Sequence, residues 1–243
     1  MNHDKFIKSS ILDILKEAVL ASSGIGDGIE AFSLHEYILQ SVFIRIMGYQ
    51  EQKLKCILWE VATHDYGFRY DVTRKPLGEY SNYDDKNSLY VSLCNLVNNS
   101  SIESSPLTND EKKIILESSF DEINNIFKES SILHLVQRSF IEFAALRQQI
   151  NIGDIAPNRK NILTEVNGRL SIKKAFKDHI YVQRNRVAHN TKSYQNNLPT
   201  LMSLFNDDKK YENYLLWFYI MLVIDKIFVH LYLKYIALID GAE

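Results

Sequence analysis

Arg184 and His189 stand five positions apart in the run Arg184-Asn185-Arg186-Val187-Ala188-His189, and they are the side-chain types that metal-free RNA cleavage requires. An imidazole, with an ordinary pKa of about 6.5, gives or takes a proton near neutral pH. A guanidinium keeps its charge and presents a planar fork of donors to a phosphate. Asn185 lies four positions before His189, so on a helix the two stack on one face.

A helix over about 171 to 191 must carry this run. At about 100° per residue, with Ile172 at zero, Phe176, Ile180 and Val187 fall at about 40°, 80° and 60° and make one apolar stripe. Arg184, Asn185, Ala188 and His189 then fall at about 120°, 220°, 160° and 260°. The count predicts a motif turned away from the protomer's own core, with the small Ala188 leaving room for another protein surface. Arg186 is a second cation on the same helix, suited to an RNA phosphate or to a surface salt bridge. Lys173, Lys174 and Lys177 form a basic approach that attracts RNA or simply solvates the helix. His179, just off the apolar stripe, reads as a packed histidine.

The pattern of Arg184, polar Asn185, a short spacer and His189, followed by Asn190, resembles the signature of HEPN ribonucleases, all-helical proteins of toxins and antiviral systems. The resemblance implies an all-α fold with a HEPN-like four-helix bundle. It implies a homodimer in which two motifs meet in one composite cleft, supplying both a proton donor and a proton acceptor. The implied reaction is attack of the ribose 2′-hydroxyl on the adjacent phosphate, leaving a 2′,3′-cyclic phosphate and a 5′-hydroxyl, with no metal and no cofactor. His189 would relay protons, Arg184 would stabilise charge growing on the phosphate, and Asn185 would orient the histidine or bind a phosphate oxygen. A toxin or phage-defence role with a restraining partner, such as an antitoxin, follows from the same resemblance. The alternative from a different class is a non-catalytic helical module that dimerises or binds nucleotide within a larger complex.

The bundle is expected over residues 106–243, after an accessory helical region over 1–105 that either stands apart or packs with it. Thr108 and Glu111 form a capping box that opens a helix to about Lys128 with Ile114, Ile115, Phe120, Ile123 and Phe127 inward. Further helices are expected over about 130–150 and from about Lys210 to Leu238, with a weaker helical piece after Pro157. In the accessory region a helix spans 5–21, and Ser33 with Glu36 makes a capping box for a long helix over 34–65. On that helix Gln50-Glu51-Gln52-Lys53-Leu54-Lys55 reads as a solvated charged face. Residues 66–86 lose helical order and interleave Tyr66, Tyr70, Tyr80 and Tyr83 with Arg69 and Arg74. Such a loop suits stacking on unpaired bases and phosphate contact, or packing of its rings on the helices. The stretch from Asn98 to Pro106 reads as a linker. The glycines at 24, 26 and 28 follow a helix, not a strand, so they read as a connection and not a phosphate cradle.

Composition sets outer limits. A formal net charge of −2 does not mark a general nucleic-acid binder, so RNA contact would need a local basic patch. Two cysteines, Cys56 and Cys94, lack a paired spacing, which fits a reducing, cytoplasmic setting. None of the seven histidines has metal-ligand spacing with another. The run Leu215 to Ile224 is apolar but is followed by Asp225 and Lys226, short of the roughly 18 to 20 residues a span requires, so it reads as a buried core helix and not a membrane segment.

Overall fold

An unbroken apolar run can be buried only if other elements surround it on every side, and the C-terminal helix organises the fold in this way. The structure is a computed structural model that describes residues 3–22, 24–25, 28, 31–74, 78–97, 104–128, 130, 133–189 and 210–241, except the side chains of Phe32, His134, Leu135 and His189. Asn190, most of the Asn98 to Pro106 stretch and Gly26 lie outside the described residues. In chain order come α1 (His3–Lys8), α2 (Leu12–Ser22), α3 (Phe32–His64), α4 (Tyr66–Thr73), α5 (Tyr83–Val97), α6 (Asn109–Lys128) and α7 (Leu133–Arg147). A short antiparallel hairpin follows, β1 (Ile155–Asn158) and β2 (Asn161–Leu163). Then α8 (Ile172–Lys174) widens into π-helical turns over Ala175–Ile180 and returns to α-helix as α9 (Tyr181–His189). The last helix is α10 (Tyr214–Asp240). The described residues are thus all-α apart from the one hairpin.

Asn213 caps α10, its side chain accepting from the amides of Leu215 and Leu216 at 3.0 and 3.2 Å. From Leu215 to Asp225 every residue is buried. Helix α10 passes the length and composition test for a membrane span, yet 78% of its most apolar window is covered by the rest of the fold. The cover comes from α3, α5, α6 and α7. Aromatic rings make the joints: Phe43 of α3 lies 5.3 Å from Trp217, Phe127 of α6 lies 6.4 Å from Phe218, and Phe143 of α7 lies 5.7 Å from Tyr219. Each buried ring or aliphatic chain is worth about 1.5–3 kcal/mol over its exposed state. One core results, drawing residues from both sides of position 105.

Local signals hold in some places and yield to tertiary context in others. The Thr108 capping box forms, with the Glu111 amide donating to Thr108 Oγ1 at 3.2 Å and the Thr108 amide donating to Glu111 Oε2 at 2.8 Å. The Ser33 box does not form: α3 begins two residues earlier, at Phe32, its cap is Ala31, and no side chain bonds the cap. Ile114, expected inward, is 64% exposed, because the stripe that meets α10 runs through Ile115, Ile123 and Phe127. The helix expected over 5–21 breaks at Ser9 and Ser10, where Ser10 Oγ accepts from the Leu12 amide at 3.2 Å. Residues 66–73 are helical after all. Asp65 caps α4 by accepting from the Phe68 amide at 2.7 Å, and Phe68 is buried. The piece after Pro157 is the hairpin, not a helix. It docks on α5, where Tyr90 Oη donates to the Asn158 carbonyl at 2.8 Å and Tyr83 Oη to the Leu163 carbonyl at 3.2 Å. Ala156, in the left-handed region at φ 40°, marks the irregular register of β1.

Candidate active site

Ser171 caps the motif segment by accepting from the Lys174 amide at 3.3 Å, and Phe176 and Ile180 then bury themselves in the core. The π-helical turns between them alter the geometry beyond. Bonds that run from i to i+5 take in one residue more than α-helical bonds, so the chain past Ile180 falls back by about 100° relative to a regular helix. Arg184 therefore moves from about 120° to about 20°, onto the side that faces the protein.

The structure shows the result, and it corrects the outward placement of Arg184. Arg184, with 21% of its side chain exposed, donates from Nη2 to Glu51 Oε1 of α3 at 3.4 Å. Its Nη1 donates to the Asn185 side-chain oxygen at 3.2 Å. Asn185 is half-buried, whereas Arg186 and Ala188 are exposed. His189 is the last residue of α9, about 7.5 Å beyond Arg184 along the helix axis. Its side chain lies outside the described residues.

The other sequence-picked cations scatter. Lys177 is exposed, pairs with Asp84 of α5 at 3.3 Å and lies 5.5 Å from the Tyr83 ring, and Lys173 lies 5.4 Å from that ring on its own approach. They border α9. Arg69 and Arg74 are exposed on α4, stacked over Tyr66 and Tyr70 at 5.2 and 4.1 Å. Helix α4 lines a cleft with Leu58 and with Ser88, Leu89, Ser92 and Asn95 of α5. The ring contacts of the two arginines are thus with their own helix and not with the motif. His179 stacks on Tyr211 at 4.7 Å, a packed histidine as its spacing suggests.

Of the run read as a solvated charged face, Gln52 is exposed and Lys55 half-buried, but the other polar residues turn inward and matter to the site. Gln50, Glu51 and Lys53 are buried. Lys53 is fully enclosed and pairs with Asp225 Oδ2 of α10 at 2.8 Å, donating also to the Ser9 carbonyl at 2.6 Å. Gln50 Nε2 donates to the Met221 carbonyl at 2.9 Å. Lys86 of α5 is 1% exposed, its Nζ has no hydrogen-bond partner among the described residues, and it sits 5.7 Å from the Phe176 ring. Burial drives the Lys86 ammonium down from 10.5 to about 7, opposed by the charges of Glu51, then Asp225 and Asp85. Burial likewise pushes the Asp225 carboxyl up, against the pull of Lys53, Lys86 and Lys226. A signal for this cluster existed in the sequence. Phe43, Gln50 and Ile57 recur every seven residues, as do Leu39, Ile46 and Lys53, so the polar residues occupy core positions of an otherwise apolar stripe.

Among the described residues, no group of three or more His, Cys, Asp or Glu is placed to hold a metal ion. Comparison with protein-family models, with curated proteins and with solved structures finds no match to this chain.

Proposed function

We propose that the chain is a HEPN-type endoribonuclease that cuts RNA by attack of the ribose 2′-hydroxyl, acting as a cytoplasmic toxin or phage-defence effector held in check by a partner. The observation that carries this reading is the setting of Arg184: a guanidinium braced by Glu51 and Asn185, part of it still open beside exposed Arg186. A phosphate entering there would meet fixed charge, which is what stabilises an oxyanion that develops during reaction. The 2′-oxygen forms its bond to phosphorus as its proton leaves to a base. The 5′-oxygen departs with a proton from an acid, and His189 supplies these transfers, one from each copy in a dimer. With Arg184 turned inward, the case for a second copy rests on the exposed face of Arg186 and Ala188 and on the need for two imidazoles. Lys177, Arg69 and Arg74 would add phosphate contacts, the last two beside exposed tyrosine rings suited to unpaired bases.

Purified protein incubated with RNA in EDTA tests this directly. Cleavage to 2′,3′-cyclic phosphate ends, lost in Arg184→Ala and His189→Ala and absent on DNA, is the expected result. The Arg184–Glu51 pair also favours a second reading, since a guanidinium tied to a carboxylate is how a structural arginine behaves. RNA left intact by a well-folded dimer would establish that interaction module in place of the enzyme.

A further inference from the structure

The cleft between α4 and α5 has a volume of about 530 Å³, within the range of about 300–1,000 Å³ usual for small-molecule sites. Buried Phe68 and Leu89 give it an apolar lining, joined by Val72 and by Leu58 of α3. Among the described residues no basic side chain lines it, whereas two carboxylates do, Asp71 from α4 and Asp85 from α5. Asp85 Oδ2 is committed, accepting from the Tyr80 amide at 3.3 Å and from Asn82 Nδ2 at 2.9 Å. Asp85 Oδ1 and the Asp71 carboxylate accept no hydrogen bond among the described residues. Tyr80 also lines the cleft, and its φ of 59° lies in the left-handed region, where a bulky side chain is strained. It is 7% exposed, yet its hydroxyl makes no hydrogen bond among the described residues. Burial, and then the charge of Asp85, push the phenol up, so it stays protonated and able to donate.

We propose that this cleft binds a guanine base, that of an unpaired nucleotide in RNA or of a free nucleotide, with Asp71 on its Watson–Crick edge and the rings of Phe68 and Tyr80 against its face. Guanine alone among the four RNA bases offers two adjacent donors, N1–H and N2–H, to match the two oxygens of one carboxylate. Adenine and cytosine set a ring-nitrogen lone pair against that charge, and uracil flanks its single N–H with two carbonyl oxygens. Guanine O6 and N7 supply the acceptor that the Tyr80 hydroxyl lacks. Arg74 stands three positions beyond Asp71, one turn along the helix surface, stacked on Tyr70 and with no carboxylate partner among the described residues, so the phosphate of the same nucleotide has a cation to meet. The competing occupant, a basic side chain of a partner protein, would face exposed Arg69 and Arg74 and leave the Tyr80 hydroxyl without an acceptor. Gly78 packs so closely on Asp85 that a Cβ there would come within 2.6 Å of Asp85 Cγ, which holds that carboxylate in place.

RNA as the source of the base rests on the ribonuclease reading, whereas the chemistry of the cleft does not, and the experiment separates the two. GMP, AMP, CMP and UMP are titrated by calorimetry into the His189→Ala protein, in which RNA should stay intact, and single-stranded RNA with or without one guanosine then competes with fluorescent GMP. GMP is expected to bind roughly tenfold more tightly than the other three, the discrimination that one bidentate contact to a base provides. Asp71→Asn should erase that preference, and Tyr80→Phe should weaken GMP binding roughly tenfold. Ser88→Trp, which fills the cleft from an exposed position, should abolish binding while the far-UV circular dichroism stays that of the parent. Equal binding of the four nucleotides, no heat with millimolar GMP, or GMP binding that survives both Asp71→Asn and Ser88→Trp would overturn the proposal. Displacement by the guanosine-containing RNA alone assigns the base to an RNA strand. GMP binding that neither RNA displaces assigns the cleft to a free guanine nucleotide, and holds even if the protein cuts no RNA. Cleavage of RNA by a protein that binds no GMP leaves the ribonuclease reading standing and removes the guanine site.

Discussion

The pair of Lys53 and Asp225 offers the sharpest test of how this core is held. Lys53 has no exposed side-chain surface and Asp225 has 5%, and their charged atoms lie 2.8 Å apart. Removing one member of such a pair leaves a charge in low dielectric and costs about 3–5 kcal/mol, whereas replacing both by apolar groups of similar volume is often close to neutral. Asp225→Leu should therefore destabilise by about 3–5 kcal/mol, since Lys53 keeps only the Ser9 carbonyl and Lys86 loses its second carboxylate. Lys53→Met should cost less, because Asp225 retains the attraction of Lys86 and Lys226 and can also take up a proton, burial having already raised its pKa. The double variant should recover most of the loss. Urea unfolding at pH 7 supplies the numbers, read as shifts in midpoint at constant slope, and the double-mutant cycle gives the coupling. Single variants that each lose under about 1 kcal/mol, or a double variant equal to the sum of the singles, would refute the claim of an interdependent buried pair.

Other perturbations address the frame around the site. Burial would raise the Glu111 carboxyl, but Lys234, the Thr108 amide and His230 outweigh it and hold it down from 4.5 to about 2. Its contribution to stability is complete above pH 4.5 and lost as pH falls toward 2, so Glu111→Gln should flatten that part of a stability-against-pH curve measured by thermal unfolding. Thr108→Ala removes the other half of the capping box and should lower stability by about 1 kcal/mol, with a matching loss of hydrogen-exchange protection confined to the first turn of α6.

The cap of α6, the apolar run of α10 and the periodic stripe of α6 were legible in the sequence because each depends on residues within a few positions of one another. Thr108 needs only Glu111, and a helix apolar on all faces must be enclosed whatever encloses it. Helical signals end where partners are distant. The hairpin strands are three and four residues long and include Pro157, too short to show alternation, and they stand because Tyr83 and Tyr90 receive them from α5. Asp65 and Phe68 made α4 a helix through a cap and a buried ring that a count of tyrosines and arginines does not reveal.

The motif divides along the same line. Which residues stand at 184, 185 and 189, and that a helix carries them, follow from the sequence alone. Which way they face does not, since the wheel assumed an even 100° per residue and the π-helical turns over Ala175–Ile180 break that assumption. Burial of Phe176 and Ile180 on one side and the Glu51 carboxylate on the other decide the rotation of Arg184. Glu51 and Lys53 read as surface because charge near charge on a helix is usually solvated. Only packing of α3 against α9 and α10 brought them their counter-charges, and no local pattern encodes a partner more than a hundred residues away.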